Sequence, residues 1–246
     1  MKALFFVFVV MLSGASWAFN LGDVLKGVGE ATSNKSSAPA SNLSDQDVTR
    51  GLKDALVEGA GKAVSSLGRT DGFLQNDKVR IPLPESLQNV ESVMKALGQG
   101  KRIEEFKTSL NRAAEAAVPE AKTLLVDAIK KMSVADAKAV LTGGEDAATK
   151  YFRQATETKL HERFLPIVGK TVNRYKLTDQ YNRVAGTASK AGLLNKEQAN
   201  MSEYVTGKAL DGLFFMIAEE EKAIRKDPLG RSSEYVRKVF GSLQKK

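Results

Sequence analysis

Between Lys101 and Phe164 apolar residues return every three or four positions, and this periodicity commits the stretch to helices. Ile103, Phe106, Leu110, Ala113, Ala114 and Ala117 form one set; Ala121, Leu124, Leu125, Ala128, Ile129 and Met132 form the next. Each set falls on one face of a helix, and that face has to be buried against something. Pro119 stands between the sets. It has no N–H to give, which ends one helix but costs nothing in the first turn of another. Ser133 with Asp136 has capping-box spacing, and Gly143-Gly144 tolerates the backbone that closes a helix. Three rods on such short connections must turn back on one another, so the centre of the core is expected here.

The same reading extends to both sides. Ser44 with Asp47 predicts a helix start, and Val48, Leu52, Leu56, Ala60, Ala63, Val64 and Leu67 make its stripe. Arg69 to Pro84 reads as a polar loop, with Phe73, Ile81 and Leu83 pointing inward. A short helix is expected over Glu85–Leu97. Another is expected after Asp146, broken or kinked at Pro166 and resumed through Ile167, Val168, Val172 and Tyr175, then a turn or two over Thr178–Val184. Gly186–Ala199 reads as a loop. Ser202 is expected to cap a long helix running to about Lys226, and a last helix starts at Ser232. No segment sustains period-two alternation. The fold class is therefore all-α: a single multi-helix orthogonal bundle of about nine or ten helices over residues 44–246.

The first residues differ in kind. Lys2, the apolar run Ala3–Leu12 and the small residues Ser16 and Ala18 have the order of a cleavable leader, so residues 1–18 read as a signal peptide. Residues 19–43 read as a flexible segment. A periplasmic location follows, peripheral to a membrane if attached at all. The chain has no cysteine, which excludes disulfides, thiol catalysis and thiolate metal sites.

Several motifs together carry a resemblance. They are Asp71-Gly72-Phe73-Leu74, Val79-Arg80-Ile81-Pro82-Leu83-Pro84, Asn111-Arg112-Ala113-Ala114-Glu115 and Leu141-Thr142-Gly143-Gly144. Further on come Ala147-Ala148-Thr149, Tyr151-Phe152-Arg153, Phe164-Leu165-Pro166 and Ala209-Leu210-Asp211-Gly212-Leu213-Phe214. Over about Val48–Gly241 the chain resembles the bacterial family known as domain of unknown function 4197. The resemblance implies an exported, helical envelope protein and brings no catalytic residue with it.

Candidate sites follow from the residues themselves. Asn111 and Glu115 are helical neighbours, so Asn111, Arg112, Glu115 and Asp127 are candidates for a buried polar cluster that either fixes packing or makes a site. Gly143 and Gly144 before a helix start, with Lys150 and Arg153 one turn in, are candidates for anion binding; Asp146, as an N-cap, competes for the same position. His161 is the only histidine, in a charged run, and no hydrolase elbow, P-loop or metalloprotease signature is present. No metal site and no cofactor are implied.

Charge gives the functional expectation. The formal net charge is +8, and Lys150 to Lys190 holds nine Lys or Arg against three acids. Such a bias favours an anionic partner. The expected function is a non-enzymatic binding protein for an anionic or amphipathic envelope component: anionic lipid, lipopolysaccharide or another envelope protein, and not nucleic acid. The alternatives are a carboxylate-based hydrolase using Glu115 and Asp127, or a carrier enclosing an apolar ligand among Leu110, Phe152, Phe214 and Phe215.

Overall fold

Ser44 opens the first helix as its spacing requires. Its hydroxyl accepts from the Asp47 N–H at 3.1 Å while Asp47 reaches back to the Ser44 N–H at 3.3 Å, so each satisfies a donor that the helix start would leave open. In this computed structural model the described residues are 44–88, 90–190 and 200–227. The expected leader, the 19–43 segment, the 191–199 part of the expected loop and the Ser232 helix lie outside them. The described residues belong to one compact unit.

Among the described residues the regular structure is all helical, with no strand. Seven helices of nine residues or more carry it: α1 (Asp45–Leu67), α4 (Gly100–Ala117), α5 (Ala121–Lys131), α6 (Val134–Thr142), α7 (Ala147–Arg174), α8 (Leu177–Lys190) and α9 (Met201–Lys226). α2 (Glu85–Gln88) and α3 (Val90–Ala96) cover the region where one short helix was expected, with residue 89 between them outside the described residues. At Pro166, where a break or a kink was expected, the helix does not break. Pro166 lies inside α7. It is exposed, so the carbonyl it leaves without a partner faces water instead of a dry core, and the helix continues. Two further helix bounds move. α8 runs on to Lys190, and α9 is capped by the Asn200 side chain, which accepts from the Glu203 N–H at 3.2 Å, in place of Ser202.

α7 and α9 pack along each other, and α1 and α4 close on the pair. The core holds Phe106 of α4, Phe152 and Phe164 of α7 and Phe214 of α9, each less than 2% exposed. Pro119 sits in a 3-10 turn, Val118–Glu120, that joins α4 to α5. Ser133 and Asp136 make the expected capping box at α6.

The 68–84 loop is part of this core. Phe73, Ile81 and Leu83 are buried, as their pattern required. Phe73 lies against α9 at Gly212, where a Cβ would stand 2.6 Å from its ring. Gly72 is held as tightly: a Cβ there would meet the Leu67 carbonyl oxygen at 2.4 Å. These two close approaches explain why Asp71-Gly72-Phe73 and Asp211-Gly212 use glycine.

Candidate functional site

Three of the four residues of the expected polar cluster come together, and their partner is the loop. Asn111, fully buried on α4, accepts from the Ile81 N–H at 2.8 Å and donates from Nδ2 to the Ile81 carbonyl at 3.1 Å. One side-chain amide thus satisfies both polar groups of a buried backbone unit that no neighbouring strand could serve. Glu115, 5% exposed, accepts through Oε1 from the Phe73 and Leu74 N–H groups at 3.1 and 3.2 Å. Its Oε2 takes the Arg112 guanidinium at 2.6 Å, and Arg112 also reaches Asp71 at 2.7 Å. Glu115 holds the Arg112 pKa above its ordinary value, with burial opposing and Asp71 adding to the effect.

Asp127 is not part of this cluster. It lies exposed on α5, and Asp71 from the loop occupies the role it was assigned. Asp127 sits on the polar side of the stripe that buries Leu125 and Ile129, so the helix turns it to solvent. Glu115 and Asp127 therefore do not converge, and both Glu115 oxygens are already occupied. The arrangement holds a loop; it does not present an acid and a base to a substrate.

The corner before α7 is also already filled. Gly143 ends α6 with extended backbone, where a Cβ would stand 2.6 Å from that of Ala147. Asp146 makes no side-chain cap and instead pairs with Lys150 at 3.0 Å. The open N–H groups of the helix start go to Glu221 of α9. It accepts from the Ala148 and Thr149 N–H groups at 2.9 Å each, and from the Thr149 hydroxyl at 2.8 Å. Arg225 then bonds Glu221 at 2.8 Å and the Val140 carbonyl, at the end of α6, at 2.8 Å. Glu221 and Arg225 thus serve the donors of one helix end and the acceptors of another, as an external anion at Gly143 and Gly144 would have done in part. Arg153 points elsewhere, pairing with Glu157 and stacking 4.5 Å from the Phe214 ring. Glu221 was assigned no role from sequence; a carboxylate within the apolar stripe of α9, between Ile217 and Ile224, was the available signal.

The four residues considered for an enclosed apolar ligand do not line a chamber. Leu110, Phe152 and Phe214 are buried in the core and Phe215 is 40% exposed. His161 lies within α7, its Nε2 2.8 Å from Glu203 in a half-exposed pair. Among the described residues no group of three or more His, Asp or Glu could hold a metal ion, and no helix is long and apolar enough to cross a membrane.

One surface feature remains after these networks are accounted for. Lys159, Arg163, Lys170 and Arg174 are all exposed on α7. At 100° per residue they fall within about 60° of arc and extend about 22 Å along the helix. Leu160, Phe164, Val168 and Val172 are buried, so the stripe faces away from the core. Among the described residues none of the four has a carboxylate partner. Glu162 lies at the margin. The stripe runs to an exposed corner formed by Tyr175 and Lys176, where Lys176 has φ 50°.

The model of the family described as Protein of unknown function (DUF4197) matches residues 42–241, and the chain belongs to that family. No curated protein and no solved structure matches it.

Proposed function

We propose that this DUF4197 chain is an exported, non-enzymatic protein that lies on an anionic envelope surface, of acidic lipid or lipopolysaccharide, through the solvent face of α7. The observation that carries the reading is the stripe Lys159, Arg163, Lys170 and Arg174, four exposed cations with no internal carboxylate partner. Cations paired inside a fold have little attraction left for a membrane, and these four retain theirs. Each Lys or Arg near an anionic leaflet contributes about 1 kcal/mol, and the attraction fades within a Debye length. Tyr175 at the end of the stripe has the amphipathic ring that suits a headgroup boundary. Export supplies the surface, and it rests on the leader-like order of residues 1–18.

Co-sedimentation with vesicles of acidic and of zwitterionic lipid tests this. Binding is expected to the acidic vesicles at low salt and to be lost at about 0.5 M salt. No binding at low salt contradicts the proposal.

A further inference from the structure

The corner between α7 and α8 closes the cation row, and its backbone is spent within the fold. The Tyr175 N–H donates to the Thr171 carbonyl at 2.9 Å, and the Lys176 N–H to that of Asn173 at 3.1 Å. The Tyr175 carbonyl accepts from Gln180 Nε2 at 2.7 Å, and the Lys176 carbonyl from the Gln180 N–H at 2.9 Å. Both residues of the turn thus have their N–H and their carbonyl paired internally. A turn of this kind can leave water without stranding a donor or an acceptor, which is what entry into the edge of a bilayer requires. Leu177 and Tyr181, 0% and 4% exposed, anchor α8 directly behind it.

What the corner presents suits the same edge. Asn173, Arg174, Tyr175 and Lys176 are exposed one after another. Tyr175 keeps 40% of its surface in water, and its hydroxyl has no partner among the described residues. Arg174 and Lys176 flank the ring, and Asp179 follows as an acid in the first turn of α8. Long cationic side chains can stay at the lipid phosphates while an aromatic ring between them sits lower. Lys176 holds this shape with φ 50°, a left-handed conformation that a lysine adopts only against a steric cost.

We infer that this corner is where the protein enters a bilayer of acidic phospholipid, with the Tyr175 ring below the phosphates and Arg174 and Lys176 level with them. The inference rests on the surface reading of α7 and narrows its partner to a lipid bilayer that the chain penetrates. A chain with Trp17→Phe and Tyr175→Trp carries a single tryptophan, at the corner. On acidic phospholipid vesicles its emission should shift to the blue, and lipid brominated near the top of the acyl chain should quench it at least twofold. Phe215→Trp, in the same Trp17→Phe chain, is the comparison. Arg153 stacks on Phe214, which puts Phe215 near the far end of α7, about 22 residues or about 33 Å from the corner. A tryptophan there should stay open to aqueous acrylamide. Tyr175→Ala should weaken vesicle binding at least threefold and leave its salt dependence unchanged, because no charge is lost. Vesicle binding with the corner tryptophan still in water, or equal quenching by brominated lipid at both positions, would overturn the inference and leave the surface reading standing. Absence of vesicle binding by the parent chain would remove both.

Discussion

Replacing Glu221 by alanine removes a carboxylate that ties the start of α7 to α9 and, through Arg225, to the end of α6. Two N–H groups at the α7 start, those of Ala148 and Thr149, lose their acceptor in a buried corner. An orphaned buried donor costs about 1–3 kcal/mol. Arg225, with its side chain 21% exposed, loses its anion but keeps the Val140 carbonyl. Breaking a buried ion pair by deleting one partner costs about 3–5 kcal/mol, and because the same atoms are involved these losses overlap and do not add. The expected total is therefore about 3–5 kcal/mol. In a chain of this size each kcal/mol moves Tm by about 2–4 °C, so the midpoint should fall by about 6–20 °C. Urea unfolding followed by circular dichroism should show a lower midpoint with an unchanged m value. Glu221→Gln keeps one acceptor oxygen and should cost less than the alanine. A loss under about 1 kcal/mol for Glu221→Ala would refute the assignment of the α7 start to this side chain.

Gly212→Ala places a methyl 2.6 Å from the Phe73 ring and should destabilise by about 1–3 kcal/mol; Phe73→Leu should relieve part of that loss in the same urea titration. Asn111→Ala leaves the Ile81 N–H and carbonyl unserved, so limited proteolysis should cut within residues 69–84 well before the parent chain is cut. Glu91 has its pKa held below the ordinary 4.5 by Lys107 and then Lys95. A carboxylate whose folded pKa is depressed contributes fully above the unfolded value and loses its contribution as pH falls through the folded one. Stability should accordingly decline below about pH 4.5, and Glu91→Gln should flatten that decline in Tm measured against pH.

Contacts between near neighbours were legible from sequence, and contacts between distant ones were not. The capping boxes Ser44–Asp47 and Ser133–Asp136 close over three residues, so spacing alone specifies them. Asn111 and Glu115 were identifiable as neighbours on one face of α4 from their spacing of four, although that face lies off the helix's apolar stripe. What they hold was not, since Ile81 lies 30 residues away and Phe73 lies 42 away. Asp127 was grouped with them by proximity along the chain, which helix phase does not respect. Asp146 had the right type and position for an N-cap, but its backbone does not adopt the extended conformation of Ser44 or Ser133, and Glu221, reaching from 72 residues away, takes the donors. Pro166 shows the converse limit: a proline's effect depends on whether the carbonyl it frees meets water, and exposure is a tertiary property.

The motifs that carry the family resemblance divide along the same line. Asp71, Gly72 and Phe73, Asn111 to Glu115, Ala148-Thr149 and Gly212 all serve the attachment of the loop or of helix ends. Their side chains are consumed by the fold. The binding surface proposed for the chain, the exposed cation row on α7, lies apart from these attachments.

The account rests most heavily on that row of cations. Changing Lys159, Arg163, Lys170 and Arg174 together to glutamine removes four charges and touches no buried contact, so the melting curve should not move. At about 1 kcal/mol per charge the affinity for acidic vesicles at low salt should fall about a thousandfold. A folded quadruple variant that binds those vesicles as tightly as the parent chain would contradict the proposed function.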